Sequence, residues 1–239
     1  MKIAIIGYGK MGKEIESIAK ERGHTISCTF SSTDELSNES TIHADVAIEF
    51  TKPELAAKHI KICLDQNLPI VVGTTGWLEE IEEIESLVKN SDGSLLHASN
   101  FSLGVHLFFE MVKKLSSVMK SHEKYKPSIT ETHHTEKLDK PSGTAISTAE
   151  ILLEQQNLYK NWGLVNKDDI DENTLPIHAD RKPNVPGTHD LTYTSEIDQI
   201  SLIHEAKSRK GFALGAVMAA EWLKDKKGTF TMSDIINFT

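Results

Sequence analysis

The sequence is poor in several features that would narrow its location or chemistry. It has two cysteines in 239 residues, Cys28 and Cys63, so we expect neither a disulfide framework nor a cysteine-based metal site. No apolar run approaches the roughly 20 residues of a membrane-spanning helix. The apolar stretch after Lys2 is too short and too early for a signal peptide. We therefore expect a cytoplasmic protein with no membrane partner and no bound metal.

Positive charge is also scarce. Lysine and arginine number 26 against 35 aspartates and glutamates, which gives a formal net charge of −9. Such a balance argues against nucleic acid or an anionic membrane as the main partner. The apolar share of 38% and the charged share of 26% suit a globular protein of one or two domains. An anionic ligand would need locally concentrated cations, for which the candidates are Lys137, Lys140, Lys207 and Arg209.

The first hundred residues alternate short apolar strands with helices. Strands are predicted at Lys2–Ile6, Thr25–Phe30, Asp45–Phe50, Pro69–Gly73 and Ser94–Ala98, and helices at Lys10–Arg22, Pro53–Gln66 and Leu78–Lys89. This alternation is typical of an α/β fold with a Rossmann-type, doubly wound parallel sheet.

The later residues follow a different pattern. Helices are predicted at Leu103–Met119, Thr144–Gln156, Gly211–Leu223 and Ser233–Phe238, strands at Ser128–His134 and Thr188–Ala206, and a polar surface excursion from Asn157 to Gly187. The mixture predicts a second, α+β domain with a mixed open sheet.

A glycine-rich loop joins the first strand to the first helix. It reads Gly7, Tyr8, Gly9, Lys10, Met11, Gly12. Glycines at this spacing permit a tight turn and let backbone N–H groups approach a pyrophosphate, whose charge the helix N-terminus favours. The alternative is a tight turn that binds no ligand. We predict that this loop binds a nicotinamide dinucleotide.

The end of the second strand bears on the choice between NADPH and NADH. An NAD-preferring site usually places an acid there to bind the ribose hydroxyls, but this chain has Ser31 and Ser32, and Asp34 stands past the expected position. These hydroxyls, with Lys10, could accept a 2′-phosphate, although no arginine is in place to clamp it. The pattern favours NADPH and leaves NADH open.

The segment from Glu131 to Ala145 carries the chemistry. It contains His133, His134 and Lys137, and then the helix start Ser142, Gly143, Thr144. Imidazoles exchange protons near neutral pH, although neighbouring rings on a strand face opposite ways unless the strand ends between them. A serine suits the N-cap of the following helix, whose first turn could hold a carboxylate. Taken singly, these features could equally be a surface histidine, a solvated lysine and a plain N-cap.

This segment resembles the His-His-x-x-Lys-x-Asp-x-Pro-Ser-Gly-Thr-Ala signature of bacterial dihydrodipicolinate reductases, also named 4-hydroxy-tetrahydrodipicolinate reductases. The segments Glu49–Glu54, Gly73–Trp77, Ser99–Val105 and His204–Arg209 are also similar to that family. The resemblance implies NAD(P)H-dependent reduction of a cyclic dicarboxylate to tetrahydrodipicolinate, in the diaminopimelate route to lysine. It also implies a homotetramer, a dinucleotide-binding domain of residues 1–101 with 209–239, and a substrate-binding and oligomerisation domain of residues 102–208.

The resemblance also assigns roles to residues. His133 would be the general acid/base and Lys137 the proton donor or electrostatic partner, while His134, Ser142, Gly143 and Thr144 would bind substrate. The cofactor would be contacted by the glycine loop, by Ser31 and Ser32, and by a further group: Gly73, Thr74, Thr75, Ala98, Ser99, Asn100, Phe101 and Arg209.

Two departures and two alternatives accompany this reading. Thr135 and Glu136 stand where enterobacterial members carry Arg-His, and Glu136 could raise the proton affinity of a neighbouring imidazole. The region after His189 is shorter than in those relatives, which bears on subunit contacts. One alternative is a semialdehyde dehydrogenase, although Cys28 and Cys63 both look like core residues. The other is a non-catalytic dinucleotide-sensing protein.

Overall fold

The computed structural model describes residues 1–34, 36–37, 40, 42–165 and 171–236. These residues form two units, each with its own sheet and core. One unit is Met1–Leu103 with Arg209–Thr239, and the other is Gly104–Ser208. Among the described residues no helix has the length and apolar character needed to span a membrane.

The elements follow one another in chain order. They are β1 (Lys2–Ile6), α1 (Lys10–Glu21), β2 (Thr25–Phe30), β3 (Val46–Glu49), α2 (Pro53–Asp65), β4 (Ile70–Val72), a 3₁₀ turn (Leu78–Glu80), α3 (Ile81–Asn90), β5 (Ser94–His97), α4 (Leu103–Met119), β6 (Lys126–His133), α5 (Gly143–Gln155), β7 (Asn161–Leu164), β8 (Thr174–Arg181), β9 (Gly187–Thr194), β10 (Gln199–Ala206), α6 (Lys210–Leu223), β11 (Gly228–Phe230) and α7 (Met232–Ile235).

The first unit is the predicted doubly wound sheet. Its six strands lie in the order β11-β5-β4-β3-β1-β2, and every neighbouring pair is parallel. Because β1 alternates its side chains, Ala4 and Ile6 join the core that contains α2 and α3, whereas Ile3 and Ile5 join the core that contains α1 and α6. The strand order reverses between β1 and β3, and such switch points are where dinucleotides bind.

The second unit has the predicted mixed sheet, in the order β10-β9-β6-β8-β7. Its central strand, β6, pairs in parallel with β8 and antiparallel with β9. One face of the sheet is apolar, and its Ile129 and Leu191 share a core with Val112 of α4 and Leu152 of α5. Strand β6 is therefore held by β8 on one side and by β9 on the other.

The prediction of a polar surface excursion from Asn157 to Gly187 was wrong. It contains β7 and β8, while residues 166–170 lie outside the described part. Prolines are disfavoured within strands, but Leu175 and Ile177 of β8 are buried at the alternate spacing of a strand.

Smaller differences concern the later strands and the last helix. The single strand predicted at Thr188–Ala206 is the hairpin of β9 and β10. The three-residue β11 was missed, and the closing helix spans Met232–Ile235. Residues 237 and 238 of the predicted helix lie outside the described residues.

Candidate active site

The glycine loop after β1 is tightly packed at two glycines and open at the third. Gly7 has φ +101°, and a Cβ there would lie 2.0 Å from the carbonyl oxygen of Phe50. A Cβ on Gly12 would lie 2.4 Å from the carbonyl oxygen of Gly7, whereas a Cβ on Gly9 would have nothing within 4 Å. The loop is therefore pressed against the end of β3 and leaves free space above Gly9.

This free space adjoins the start of α1. Gly9 is the N-cap, no side chain among the described residues caps it, and the first turn carries no acidic residue. The first N–H groups of a helix have no acceptor within the helix and favour an anion. Lys10 is exposed and Met11 half-buried, while the hydroxyl of Tyr8 donates to the Glu16 carboxylate. The residues present fit the pyrophosphate of a dinucleotide.

Three loops at neighbouring strand ends meet around Phe50. A Cβ on Gly73 would lie 2.1 Å from the Phe50 ring, and the ring of Phe101 is centred 5.7 Å from that of Phe50. The backbone N–H of Thr51 donates to Thr74 Oγ1 at 2.7 Å. The segments after β3, β4 and β5 are thus brought together at the carboxyl end of the sheet.

The other predicted cofactor contacts differ in accessibility. Thr75 and Ser99 are exposed and Ala98 is half-buried. The side chain of Asn100 accepts a hydrogen bond from Ser102 N at 2.8 Å. Phe101 is 2% exposed, so its ring belongs to the core.

Arg209 is exposed and forms the N-cap of α6. A Cβ on Gly215 in the same helix would lie 1.7 Å from the carbonyl oxygen of Phe101. Helix α6 therefore lies very close to the chain that follows β5.

The loop after β2 contains a carboxylate that reaches back to the strand end. Asp34 Oδ2 accepts from Ser31 N at 2.9 Å and from Ser31 Oγ at 2.7 Å. These hydrogen bonds lower the pKa of Asp34, so it is ionised at neutral pH. Ser31 is half-buried and Ser32 exposed. Negative charge is therefore present beside the strand end, although Asp34 stands past the position expected from the sequence.

In the second unit, the buried face of β6 changes from apolar to polar toward its end. Ile129, Glu131 and His133 alternate on this face, and all three are buried. In the sheet register Glu131 lies opposite His189 on β9, and His133 lies opposite Arg181 on β8. Period-two alternation on three strands thus collects four ionisable side chains at one end of the sheet.

Strand β6 ends at His133, between the two adjacent histidines. His133 is 6% exposed, and its ring is centred 5.0 Å from that of His189. His134 is half-buried and starts the following loop. The opposite orientation expected within a strand therefore does not constrain this pair.

Arg181 uses every donor of its guanidinium. Nη1 and Nη2 each lie 3.3 Å from Glu131 Oε1. The remaining N–H groups donate to the carbonyl oxygens of Lys137, Asp139 and Asp180. Because an arginine has five N–H donors, none is left for a ligand. Arg181 therefore neutralises Glu131 and anchors the loop that carries Lys137.

Ser142 is the N-cap of α5, as predicted. Its Oγ accepts from Ala145 N at 3.3 Å and lies 3.1 Å from His189 Nε2. Its backbone N–H donates to Glu131 Oε2 at 3.0 Å. With Ser142 engaged in this way, Gly143, where a Cβ would have nothing within 4 Å, is the open position of the first turn, and Thr144 follows it half-buried.

The electrostatics of the cluster favour neutral imidazoles. Burial lowers the pKa of His133, and the charges of Lys137 and Arg181 lower it further, while Glu131 opposes the shift. Burial and the nearby His133 lower the pKa of His189 to about 3. Lys137 Nζ lies 2.8 Å from Asp139 Oδ2, so its ammonium group is paired with a carboxylate of the same loop.

Three side chains of the same cluster are of the types that bind metals, but their surroundings do not fit a metal site. One ligand atom each from Glu131, His133 and His189 lie within 4.8 Å of one another. A metal ion there would compete with the guanidinium of Arg181 for the same carboxylate.

Comparison with known proteins identifies the family. The model described as Dihydrodipicolinate reductase, N-terminus matches residues 1–101, and the model described as Dihydrodipicolinate reductase, C-terminus matches residues 104–236. The chain belongs to the dihydrodipicolinate reductase family. As a member, it is an oxidoreductase with a nicotinamide dinucleotide cofactor.

Three members of the dihydrodipicolinate reductase family illustrate the similarity. The 4-hydroxy-tetrahydrodipicolinate reductase of Christiangramia forsetii is 49% identical over 99% of this chain and 98% of its own. That of Rickettsia akari is 34% identical over 97% and 94%. The solved dipicolinate-bound dihydrodipicolinate reductase from Paenisporosarcina sp. TG-14 has a TM-score of 0.75 and 25% identity, and covers 99% of both chains.

Sequence reasoning missed three residues of this family member's cluster, namely Glu131, Arg181 and His189. The signal for the first was available, since Glu131 stands two residues before His133 in an alternating strand. The carboxylate close to His133 is thus Glu131, whereas Glu136 is exposed and is not among the main causes of the pKa shift of His133.

The structure also bears on the alternative that required a cysteine nucleophile. Cys63 is fully buried, and burial raises its pKa to about 12. A thiol in that environment is not a nucleophile at neutral pH.

Proposed function

We propose that the chain reduces 4-hydroxy-tetrahydrodipicolinate to tetrahydrodipicolinate in the diaminopimelate route to lysine. The relatives that it matches over nearly its full length are named for this reaction. The observation that carries the proposal is the buried His133 at the end of β6, beside the start of α5 and the Lys137 loop. This arrangement combines a proton donor with a place for a carboxylate.

In this proposal the second unit binds the substrate and supplies the proton. The N–H groups of Gly143 and Thr144 hold one carboxylate, and Lys137 with His134 attracts the other. The 4-hydroxyl group of the substrate leaves as water and gives a conjugated ring. A reduced nicotinamide dinucleotide would supply hydride to that ring, and His133 protonates the electron-rich ring that results. Because a bound dianion raises the pKa of a nearby imidazole, His133 gains its proton as the substrate binds. A positioned acid of this kind contributes roughly 10²–10⁴ in rate.

In the first unit, we propose that the glycine loop, the end of β2, the loops after β4 and β5, and Arg209 contact the cofactor. The sequence favoured NADPH, but the Asp34 carboxylate at the end of β2 supports the opposite preference. It would repel a 2′-phosphate and accept hydrogen bonds from ribose hydroxyls. We therefore propose that both dinucleotides are used and that NADH is preferred.

The direct test generates the unstable substrate in place. Aspartate semialdehyde and pyruvate are supplied with the preceding synthase, and oxidation of NADH and NADPH is followed separately. Rapid oxidation that needs the synthase is the expected result. Oxidation without the synthase would instead identify a semialdehyde reductase, and dinucleotide binding with no oxidation would favour a sensing protein.

A homotetramer and a cytoplasmic location are further proposals that accompany the family. Light scattering coupled to size-exclusion chromatography tests the first, and an elution mass of one or two chains would contradict it. Cell fractionation tests the second.

A further inference from the structure

Glu131 contacts the proposed proton donor, the start of α5 and the guanidinium of Arg181 at the same time. We propose that Glu131 is a positioning residue that holds His133 and the start of α5 in one arrangement for proton transfer. The inference rests on the proposed reductase activity. It assigns to Glu131 a role through other groups and no contact with substrate.

The two oxygens of this carboxylate have separate partners. Oε1 lies 3.3 Å from both terminal nitrogens of Arg181. Oε2 accepts from Ser142 N at 3.0 Å and lies 3.4 Å from Nδ1 of His133. Glu131 is fully buried and Arg181 is half-buried, and an ion pair removed from water in this way is weak evidence for stability. Its geometry instead links the end of β6 to the first residue before α5.

The two nitrogens of His133 are in different environments. Nδ1 is buried and has no hydrogen-bond partner of good geometry among the described residues, and Oε2 of Glu131 lies 3.4 Å from it. Nε2 faces Gly187, where a Cβ would come within 3.0 Å of it. Because Nδ1 is buried beside the Glu131 carboxylate, we assign proton donation to Nε2, and a neutral ring should then carry its proton on Nδ1.

The charges around His133 determine what should follow when Glu131 loses its charge. The charged or titratable side chains that face it, from its own strand, the next loop, β8 and β9, are Glu131, Lys137, Asp139, Arg181 and His189. Removing the charge of Glu131 leaves Lys137 and Arg181 opposed by Asp139 alone. The pKa of His133 then falls, so the ring keeps its proton only to a lower pH. The upper limb of the pH–rate profile therefore moves to lower pH.

The experiment compares Glu131→Gln with Glu136→Gln, an exposed glutamate five residues later. Glutamine keeps the size and an acceptor for Ser142 N but loses the charge. In Glu131→Gln we expect kcat at neutral pH to fall about tenfold or more. The upper limb of the kcat profile should move down by about one pH unit or more, while dinucleotide affinity stays unchanged. Glu136→Gln should behave as the unsubstituted chain.

Equal kcat and equal pH limbs in the two variants would overturn the proposal. A loss of kcat that is the same at every pH would also overturn it, since that is the mark of a merely structural role.

The tautomer of His133 in the unsubstituted chain is a second measurement, which does not depend on whether the variant folds. Nitrogen-15 NMR of labelled histidine, assigned with a His133→Gln variant, should show the neutral ring protonated on Nδ1. Protonation on Nε2 would contradict the proposal. If the chain did not reduce the substrate at all, the proposed function would fail, whereas the NMR titration of His133 with and without the Glu131 charge would still report on the coupling.

Discussion

The same substitution should have different effects at two glycines of the loop after β1. At Gly7 it should lower stability, and at Gly9 it should lower dinucleotide affinity. Gly7→Ala places a methyl group at 2.0 Å from the Phe50 carbonyl oxygen, where ordinary contacts begin at 3.4 Å, and forces an L residue to φ +101°. The conformation costs about 1–2 kcal/mol and the overlap about 1–3 kcal/mol. We expect the thermal midpoint of the first unit to fall by roughly 5–20 °C.

Gly9→Ala is the matched control for the fold and the test of the ligand. Its Cβ meets nothing within 4 Å and its φ is −88°, so stability should fall by no more than about 1 kcal/mol, the loss expected when alanine replaces glycine at an N-cap. The methyl group would nevertheless occupy the space proposed for the pyrophosphate. Dinucleotide affinity should fall about tenfold or more, since about 1.4 kcal/mol of lost contact is enough.

Calorimetric melting and calorimetric titration with NADH and NADPH measure both effects on the same samples. If Gly9→Ala binds both dinucleotides as tightly as the unsubstituted chain, the loop does not hold the pyrophosphate. If Gly7→Ala melts at the original temperature, the close approach to Phe50 has no energetic consequence, and the reasoning is refuted.

Four further outcomes are expected. His133→Gln should lower kcat about 10²–10⁴-fold with the dinucleotide Kd unchanged, and equal turnover would remove it from the acid role. Lys137→Met should raise KM for substrate while titration shows normal dinucleotide binding; a lost cofactor would place Lys137 in the other site. Asp34→Asn should raise the ratio of NADPH to NADH activity severalfold, and a constant ratio would contradict the proposed preference. Arg22 lies 2.7–2.8 Å from Glu221 and lowers the pKa of that carboxyl. The ion pair therefore stabilises the fold above the ordinary carboxyl pKa, and this stabilisation is lost as the pH falls through the pKa that Glu221 has in the folded protein. Chemical denaturation should show Glu221→Gln less stable by about 0.5–1 kcal/mol at neutral pH and equal to the unsubstituted chain at acid pH, whereas a pH-independent difference would implicate packing.

The sequence was informative where structure depends on near neighbours. The glycine loop, the N-cap at Ser142 and the alternation of strands and helices in the first unit are all local patterns, and the fold class was confirmed. The position of Asp34 was missed because a short turn brings its side chain back to Ser31.

The polar cluster of the second unit depends on strand order, which alternation does not specify. Arg181 follows Glu131 by 50 residues and lies in a stretch that resembled a surface excursion. Only the parallel pairing of β6 with β8 brings the two together. His189 likewise requires the antiparallel pairing of β6 with β9.

The central place of β6 has a consequence for the timing of local motion. Its backbone is hydrogen-bonded to strands on both sides, so its amides should exchange with solvent only through large-scale opening. The following loop is held instead by the guanidinium of Arg181, and its amides should exchange far sooner. The imidazole of His133 would then keep its position through many cycles in which the ammonium of Lys137 departs and returns.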